Sequence, residues 1–355
     1  MNRCHTRPLS RFFGLAVVAA LIAMPAWAQF EPPPSPDYCP WPAWNLPPAK
    51  AGDAIVWTDP HGVEYTKAQI DSVYDQRCWR QDPPEIGTRF VWLGAEFIDR
   101  FGPPERHAYG PSADEGLDLY RAHSGSEHAP TMIHIHGGAW RDGSAAGAAF
   151  MAENFIAAGA NLVALDFVDV VQSGGSLHPM ADQVRAGVAW VYRNAAKLGL
   201  NPDRIYVSGF SSGGHLCGVV ITTDWAERGL PGDFIKGAVC ASGMYDLHPV
   251  SLSARNLYVN FDLDDTIREL SPIHHIQNVS FPVVLGYGTK ETPEFQRQSR
   301  DFAAALQAAG KDVRLIVAPG YNHFEFNETF ANPYGPLGRA SLELMGLRPA
   351  GAVRE

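Results

Sequence analysis

The sequence predicts an α/β fold, a mostly parallel central sheet covered by helices on both faces, and two observations carry that reading. From about residue 108 onward, short apolar runs alternate with helix-length amphipathic segments. At one of these junctions an apolar run, Arg204 to Ser208, meets Gly209-Phe210-Ser211-Ser212-Gly213 and then a segment able to be helical, Gly214 to Val220. Strand, G-x-S-x-G and helix in that order put a serine on a strained turn at the edge of a sheet.

The chain opens with a different texture. Arg3, Arg7 and Arg11 precede the apolar run Phe12 to Ala23, which is short for a bilayer span, and Ala26-Trp27-Ala28 has the small-x-small form of a cleavage site. Residues 1–28 are therefore expected to be a signal peptide cut after Ala28, with an uncleaved anchor as the alternative. No later stretch is apolar enough to span a membrane, so the expectation is a secreted or periplasmic protein free of the membrane. Removing the signal shifts the net charge from -10 to about -13. An acidic chain without a basic run is a poor nucleic-acid binder.

Residues 29 to about 50 are rich in proline and interleaved with Trp41 and Trp44, a composition that reads as an extended arm. Residues 51–107 are mixed, with one helix expected around Thr66–Tyr74. Together, 29–107 read as an N-terminal arm and extension, and 108–350 as the catalytic domain. Strands are expected at Leu117–Tyr120, Met132–His136, Leu162–Phe167, Ile205–Ser208, Ala238–Ser242, Val283–Tyr287 and Val313–Ala318. From His178 to Lys197 the residues Met180, Val184, Val188, Val191 and Ala195 share one helical face. Glu294 to Ala309 carries Phe295, Phe302 and Leu306 and stops at Gly310, a residue suited to ending a helix. The stretch Tyr245 to Leu270, between two strands, reads as a short cap segment, too small for the lid of a true lipase.

Cys4 leaves with the signal, and the four remaining cysteines allow three pairings. Cys39 and Cys78, both in the loop-rich N-terminal region, are the expected pair. Cys217 and Cys240 are expected to be buried free thiols packing as small hydrophobes. No Cys/His spacing fits a zinc site, and neither metal nor cofactor is expected.

A serine hydroxyl becomes nucleophilic when a base takes its proton, and the base needs an acid to orient it. His323, in Pro319-Gly320-Tyr321-Asn322-His323-Phe324, follows the last expected strand and so reaches the sheet edge where Ser211 sits. His274 and His275 lie where no strand presents them. After the strand Phe281 to Gly288 the first acid is Glu291, in a loop. Glu294, three residues later, reads as first-turn helix and is held in reserve. Attack on a carbonyl also creates an oxyanion that backbone N–H groups must meet. The turn Gly137, Gly138 and Ala139, after an early strand, and the N–H of Ser212 are the expected donors, with His136 as a scaffold residue. Trp140, Tyr245 and Tyr321 are candidate pocket linings, ordinary core packing being the alternative for each.

Those segments resemble the esterase/lipase branch of the α/β-hydrolases that carry H-G-G motifs, and within it most resemble kynurenine formamidase (arylformamidase) and its bacterial relatives. The likeness rests on His136-Gly137-Gly138-Ala139-Trp140, on Gly209 to Leu216, on Gly288 to Ser299, and on Asn322-His323-Phe324, and spans about residues 108 to 345. It implies an acid at Glu291, where many members carry Asp. Three features depart from the pattern: Ser212 replaces the usual alanine, the N-terminal arm with its cysteines is extra, and the signal peptide differs from a cytosolic setting. The expected activity is hydrolysis of short-chain or aromatic carboxylic esters, small molecules, through Ser211, His323, Glu291 and an acyl-enzyme. An arylformamidase-like amidohydrolase is the alternative, and a non-catalytic binding module on the same scaffold a remote one.

Overall fold

A computed structural model describes residues 46, 49–79, 89–123 and 128–351. The expected signal peptide, most of the proline-rich arm and Cys39 lie outside the described residues, so the expected Cys39–Cys78 pairing does too. No helix among the described residues is long and apolar enough to cross a membrane.

In chain order the strands are β1 (Ile55–Thr58), β2 (Glu64–Thr66), β3 (Glu105–Ala108), β4 (Gly116–Tyr120), β5 (Thr131–Ile135), β6 (Asn161–Leu165), β7 (Ile205–Phe210), β8 (Ile235–Ala241), β9 (Val283–Gly288) and β10 (Val313–Ala318). The helices are α1 (Lys67–Val73), α2 (Arg89–Phe101), α3 (Ala149–Ala157), α4 (His178–Asn194), α5 (Ser212–Ile221), α6 (Leu247–Ser251), α7 (Thr266–Leu270), α8 (Pro293–Ala308), α9 (His323–Glu328) and α10 (Pro336–Leu344). β1 and β2 make a small antiparallel ribbon. The other eight strands form one sheet in the order β10-β9-β8-β7-β5-β6-β4-β3. Six of these, β5 to β10, run parallel, and β4 and β3 close one edge antiparallel. The fold class read from the sequence is the one observed.

Central strands buried along their whole length need apolar residues on both faces, and β5, β6 and β7 satisfy this with residues such as Met132, Ile133, Leu162, Val163 and Val207. On one face the expected helical stripe Met180, Val184, Val188, Val191 and Ala195 is buried, as are Phe295, Phe302 and Leu306 of α8. The other face is covered by α3 and α10, through Phe155, Leu337 and Ala340. The expected strand ends His136, Phe167 and Ser242 fall just outside the strands, where the chain leaves the sheet to build loops.

Two expectations are corrected. The boundary at residue 108 cuts through the fold, because β3 is a strand of the main sheet and Tyr65, Ile70, Val73 and Tyr74 belong to its core. Helix α1 starts as the sequence suggests, with Thr66 and Gln69 forming a reciprocal capping box. Cys217 and Cys240 are not free thiols: they form a disulfide. Glycine is the reason they meet. A Cβ on Gly214 would lie 2.3 Å from the Ala241 carbonyl oxygen, so α5 packs directly on β8. That brings the two Cα atoms to 5.6 Å, within disulfide range.

Candidate active site

Ser211 stands between the end of β7 and the start of α5. Its backbone has φ 60° and ψ -125°, a strained conformation for a residue bearing a Cβ. The flanking glycines make that turn possible. A Cβ on Gly209 would fall 2.1 Å from the Gly213 carbonyl, and one on Gly213 would fall 2.1 Å from that of Ile135. The strain is held by its surroundings: the Ser211 N–H donates to Ala241 at 3.1 Å, and its carbonyl accepts from His215 at 3.0 Å. Ser212, buried, is the first residue of α5, where backbone N–H groups have no intrahelical acceptor.

The sheet order explains how distant residues converge. β7, β8, β9 and β10 are neighbours and parallel, so the residues just past each strand gather at one edge. His323, the first residue of α9, presents Nδ1 to Glu291 Oε2 at 3.2 Å. Its ring packs on Phe210, the residue before Ser211, with centroids 4.8 Å apart, and on the edge of Phe295. With the Nδ1 proton donated to Glu291, Nε2 is left as the acceptor. Glu291 is buried, and its other oxygen accepts from the Ser242 hydroxyl at 2.6 Å and the Gly288 N–H at 3.0 Å. Gly288 also lets two loops meet: the Lys290 N–H donates to the Tyr321 carbonyl, and a Cβ on Gly288 would lie 2.2 Å from that oxygen.

Glu294, the reserve acid, is committed elsewhere. Both its oxygens accept from Arg297 at 2.7 Å, and the Tyr74 hydroxyl donates to one of them at 2.7 Å. Burial, together with the Glu294 charge, pushes the Tyr74 phenol well above its ordinary pKa, so Tyr74 stays a donor. His275 is spent on the Arg268 carbonyl. Ser242 went unrecognised in the sequence. The available signal was its place as a polar residue closing a strand next to that of Ser211.

The turn after β5 lies against the nucleophile, for a Cβ on Gly137 would sit 2.8 Å from the Phe210 carbonyl and 3.1 Å from the Ser211 Cβ. Gly138, Ala139 and Trp140 have φ of 114°, 56° and 64°, three consecutive left-handed residues that redirect the backbone N–H groups. His136 is tied to its surroundings: its Nδ1–H donates to the Gly137 carbonyl, its ring stacks on Phe167 at 4.2 Å, and burial lowers its pKa. Trp140 donates its indole N–H to His215 Nδ1 at 3.2 Å, and His215 Nε2 donates to the Leu270 carbonyl. Burial takes the His215 pKa down to about 4, so that relay is neutral at physiological pH.

A cavity of about 320 Å³ adjoins this turn, lined among others by Gly137, Trp140, Phe167, Asp166, Asp169 and Ser212. Trp140 is the one expected aromatic that lines it. Tyr245 is corrected to a core residue: it is fully buried, its hydroxyl donates to the Cys240 carbonyl, and its ring stacks on Phe302 at 4.4 Å. Tyr321, half-buried, does not line this cavity and packs towards Phe326. Among the described residues no group of three or more His, Cys, Asp or Glu side chains is arranged to hold a metal ion.

Comparison with known proteins agrees with this architecture. The BD-FAE family model matches residues 117–306, more than half of the chain. Kynurenine formamidase of Danio rerio is 30% identical over 247 residues, 67% of this chain and 80% of that protein. Esterase LipQ of Mycobacterium tuberculosis is 27% identical over 251 residues, 62% of this chain and 59% of that protein. Among solved structures, the hyperthermophilic esterase of the archaeon Pyrobaculum calidifontis superposes with a TM-score of 0.60 at 18% identity, over 76% of this chain and 96% of that one. The chain belongs to the BD-FAE family: it is an α/β-hydrolase of the esterase/lipase type, and it resembles the arylformamidases.

Proposed function

We propose that this chain is an exported serine carboxylesterase acting on short-chain or aromatic carboxylic esters. The observation that carries the reading is the His323–Glu291 contact at 3.2 Å, at the same sheet edge as a serine held at φ 60°. His323 Nε2 takes the hydroxyl proton as Ser211 Oγ attacks the ester carbonyl. The N–H groups of Ser212 and of the Gly138/Ala139 turn donate to the resulting oxyanion. Collapse expels the alcohol, which receives its proton from His323, and leaves Ser211 acylated. Water then attacks the acyl carbon with His323 again as base, and the acid and free serine separate. Glu291 keeps the Nδ1 proton in place throughout and stabilises the imidazolium that forms. Residues 245–270 hold only α6, α7 and short turns, which favours small acyl groups over long lipid chains.

Hydrolysis of p-nitrophenyl acetate that disappears in Ser211→Ala supports this reading, and hydrolysis that survives the substitution overturns it. The likeness to kynurenine formamidase favours a second reading, hydrolysis of an aryl formamide through the same residues. The ratio of kcat/KM for N-formylkynurenine to that for p-nitrophenyl acetate separates the two: a formamide preference of orders of magnitude selects the second. Export rests on residues 1–28, and mature protein recovered outside the cytoplasm with Gln29 at its N-terminus tests it.

A further inference from the structure

We propose that Arg255 is a positioning residue for the oxyanion turn, an inference that rests on the catalytic reading above. Arg255 lies in the cap segment between α6 and α7 and is only 8% exposed. Its Nε–H is buried without a hydrogen-bond partner. Burying a guanidinium is unfavourable unless hydrogen bonds and opposite charge offset it, and the nearby Asp75 carboxylate supplies part of that offset. The direct contacts of Arg255 lie within the cap segment and on two further segments. One terminal nitrogen donates to the Tyr258 hydroxyl at 2.7 Å, and the other to the Tyr74 carbonyl at 2.9 Å, beyond the C-terminal end of α1. The guanidinium carbon stands 5.3 Å from the centre of the Trp140 ring.

Trp140 is the element that needs holding. It follows Gly138 and Ala139, it is itself left-handed at φ 64°, and a non-glycine residue persists in that conformation only when its neighbours over-determine it. Its indole N–H is fixed by His215 and its carbonyl by the Val170 N–H at 2.8 Å. Arg255 supplies the face contact. The tie is reciprocal, because Arg141, next after Trp140, places its own guanidinium 4.2 Å from the Tyr258 ring. Cap and oxyanion turn are thus joined by two cation–aromatic contacts sharing the Arg255–Tyr258 hydrogen bond. The planar fork of arginine makes both donations while its flat face stays near the indole, and a lysine ammonium does not.

The test uses the full chain and the variants Arg255→Met, Arg255→Lys and Tyr258→Phe, each counted by active-site titration with a fluorophosphonate. Arg255→Met is expected to lower kcat per titrated site about 10- to 100-fold, with KM changed less than about threefold. The inhibition constant of a trifluoromethyl ketone, which mimics the tetrahedral adduct, should rise in step with the kcat loss. Arg255→Lys is expected to recover part of kcat, and Tyr258→Phe to fall between. A merely structural arginine predicts fewer titratable sites with full kcat at each, and that result overturns the proposal. Should Arg255→Met not fold, wild-type kcat in both Arg255→Lys and Tyr258→Phe overturns it equally. A wild-type protein that neither titrates nor hydrolyses esters overturns the catalytic reading itself, a distinguishable outcome.

Discussion

The hydroxyl of Ser242 donates to Glu291 Oε1 at 2.6 Å, so the carboxylate that meets His323 is gripped from the end of the adjacent strand β8. Ser242 is fully buried and left-handed at φ 49°, which aims its side chain back across the strand end. Ser242→Ala leaves Oε1 with the Gly288 N–H as its remaining donor. A hydrogen bond to a charged group contributes about 1.5–3 kcal/mol, so kcat is expected to fall about 10-fold or more with KM nearly unchanged. Steady-state kinetics on p-nitrophenyl acetate check this, and an unchanged kcat rejects the role.

The two neighbouring acids should fail in different ways. In Glu291→Gln the amide oxygen stays with the Ser242 and Gly288 donors, the NH2 group faces His323 Nδ1, and kcat is expected to fall by about 10³-fold or more while the fold survives. Glu294→Gln removes one of two carboxylate charges that meet Arg297, only 4% exposed, leaves it Asp301 at 2.8 Å, and is expected to destabilise the protein by about 1–3 kcal/mol. Its kcat per folded molecule should stay near that of the parent. Kinetics paired with urea unfolding separate the outcomes, and a reversal would exchange the two roles.

Closing a loop of 23 residues between α5 and β8, the Cys217–Cys240 disulfide restricts the unfolded chain. Cys217→Ala with Cys240→Ala is expected to lower unfolding stability by about 2–4 kcal/mol. Free-thiol titration of the unfolded, unreduced protein offers an independent check: thiols recovered from both positions would contradict the bond.

Stability should also decline in mild acid. Burial holds His134 down to about 3 and His215 down to about 4, while both titrate near 6.5 when unfolded. Between those limits the unfolded chain binds protons that the folded chain refuses, so stability is intact above pH 6.5 and is lost as pH falls towards 4. The His215 share of the loss is of order 3 kcal/mol across that interval. Urea midpoints measured from pH 7 to pH 5 should drop, and His215→Gln should flatten the slope; a flat profile in the parent would count against it.

The parts of the molecule that were legible in the sequence are those where local pattern and tertiary role coincide. The G-x-S-x-G motif between β7 and α5, the stripe Met180 to Ala195, and Glu291 and His323 after consecutive strands all follow from period and order along the chain. What escaped notice depends on which strands are neighbours. Ser242 matters because β8 lies between β7 and β9, and Cys217 reaches Cys240 because Gly214 lets a helix settle on the next strand. Tyr245 looked like a pocket wall because an aromatic in a cap segment gives no sign that Phe302 will cover it. The extension was silent for the same reason: Tyr74 acquires its partners, Glu294 and Arg255, from more than 180 residues away.

In the proposed mechanism Ser211 is the nucleophile, activated by His323 and Glu291. Mass-spectrometric mapping of the protein after a fluorophosphonate reaction tests it most directly. One adduct per chain is expected, on the peptide carrying Ser211, formed in step with the loss of esterase activity and abolished by His323→Ala. An adduct on another residue, or full esterase activity in the face of complete Ser211 labelling, would contradict it.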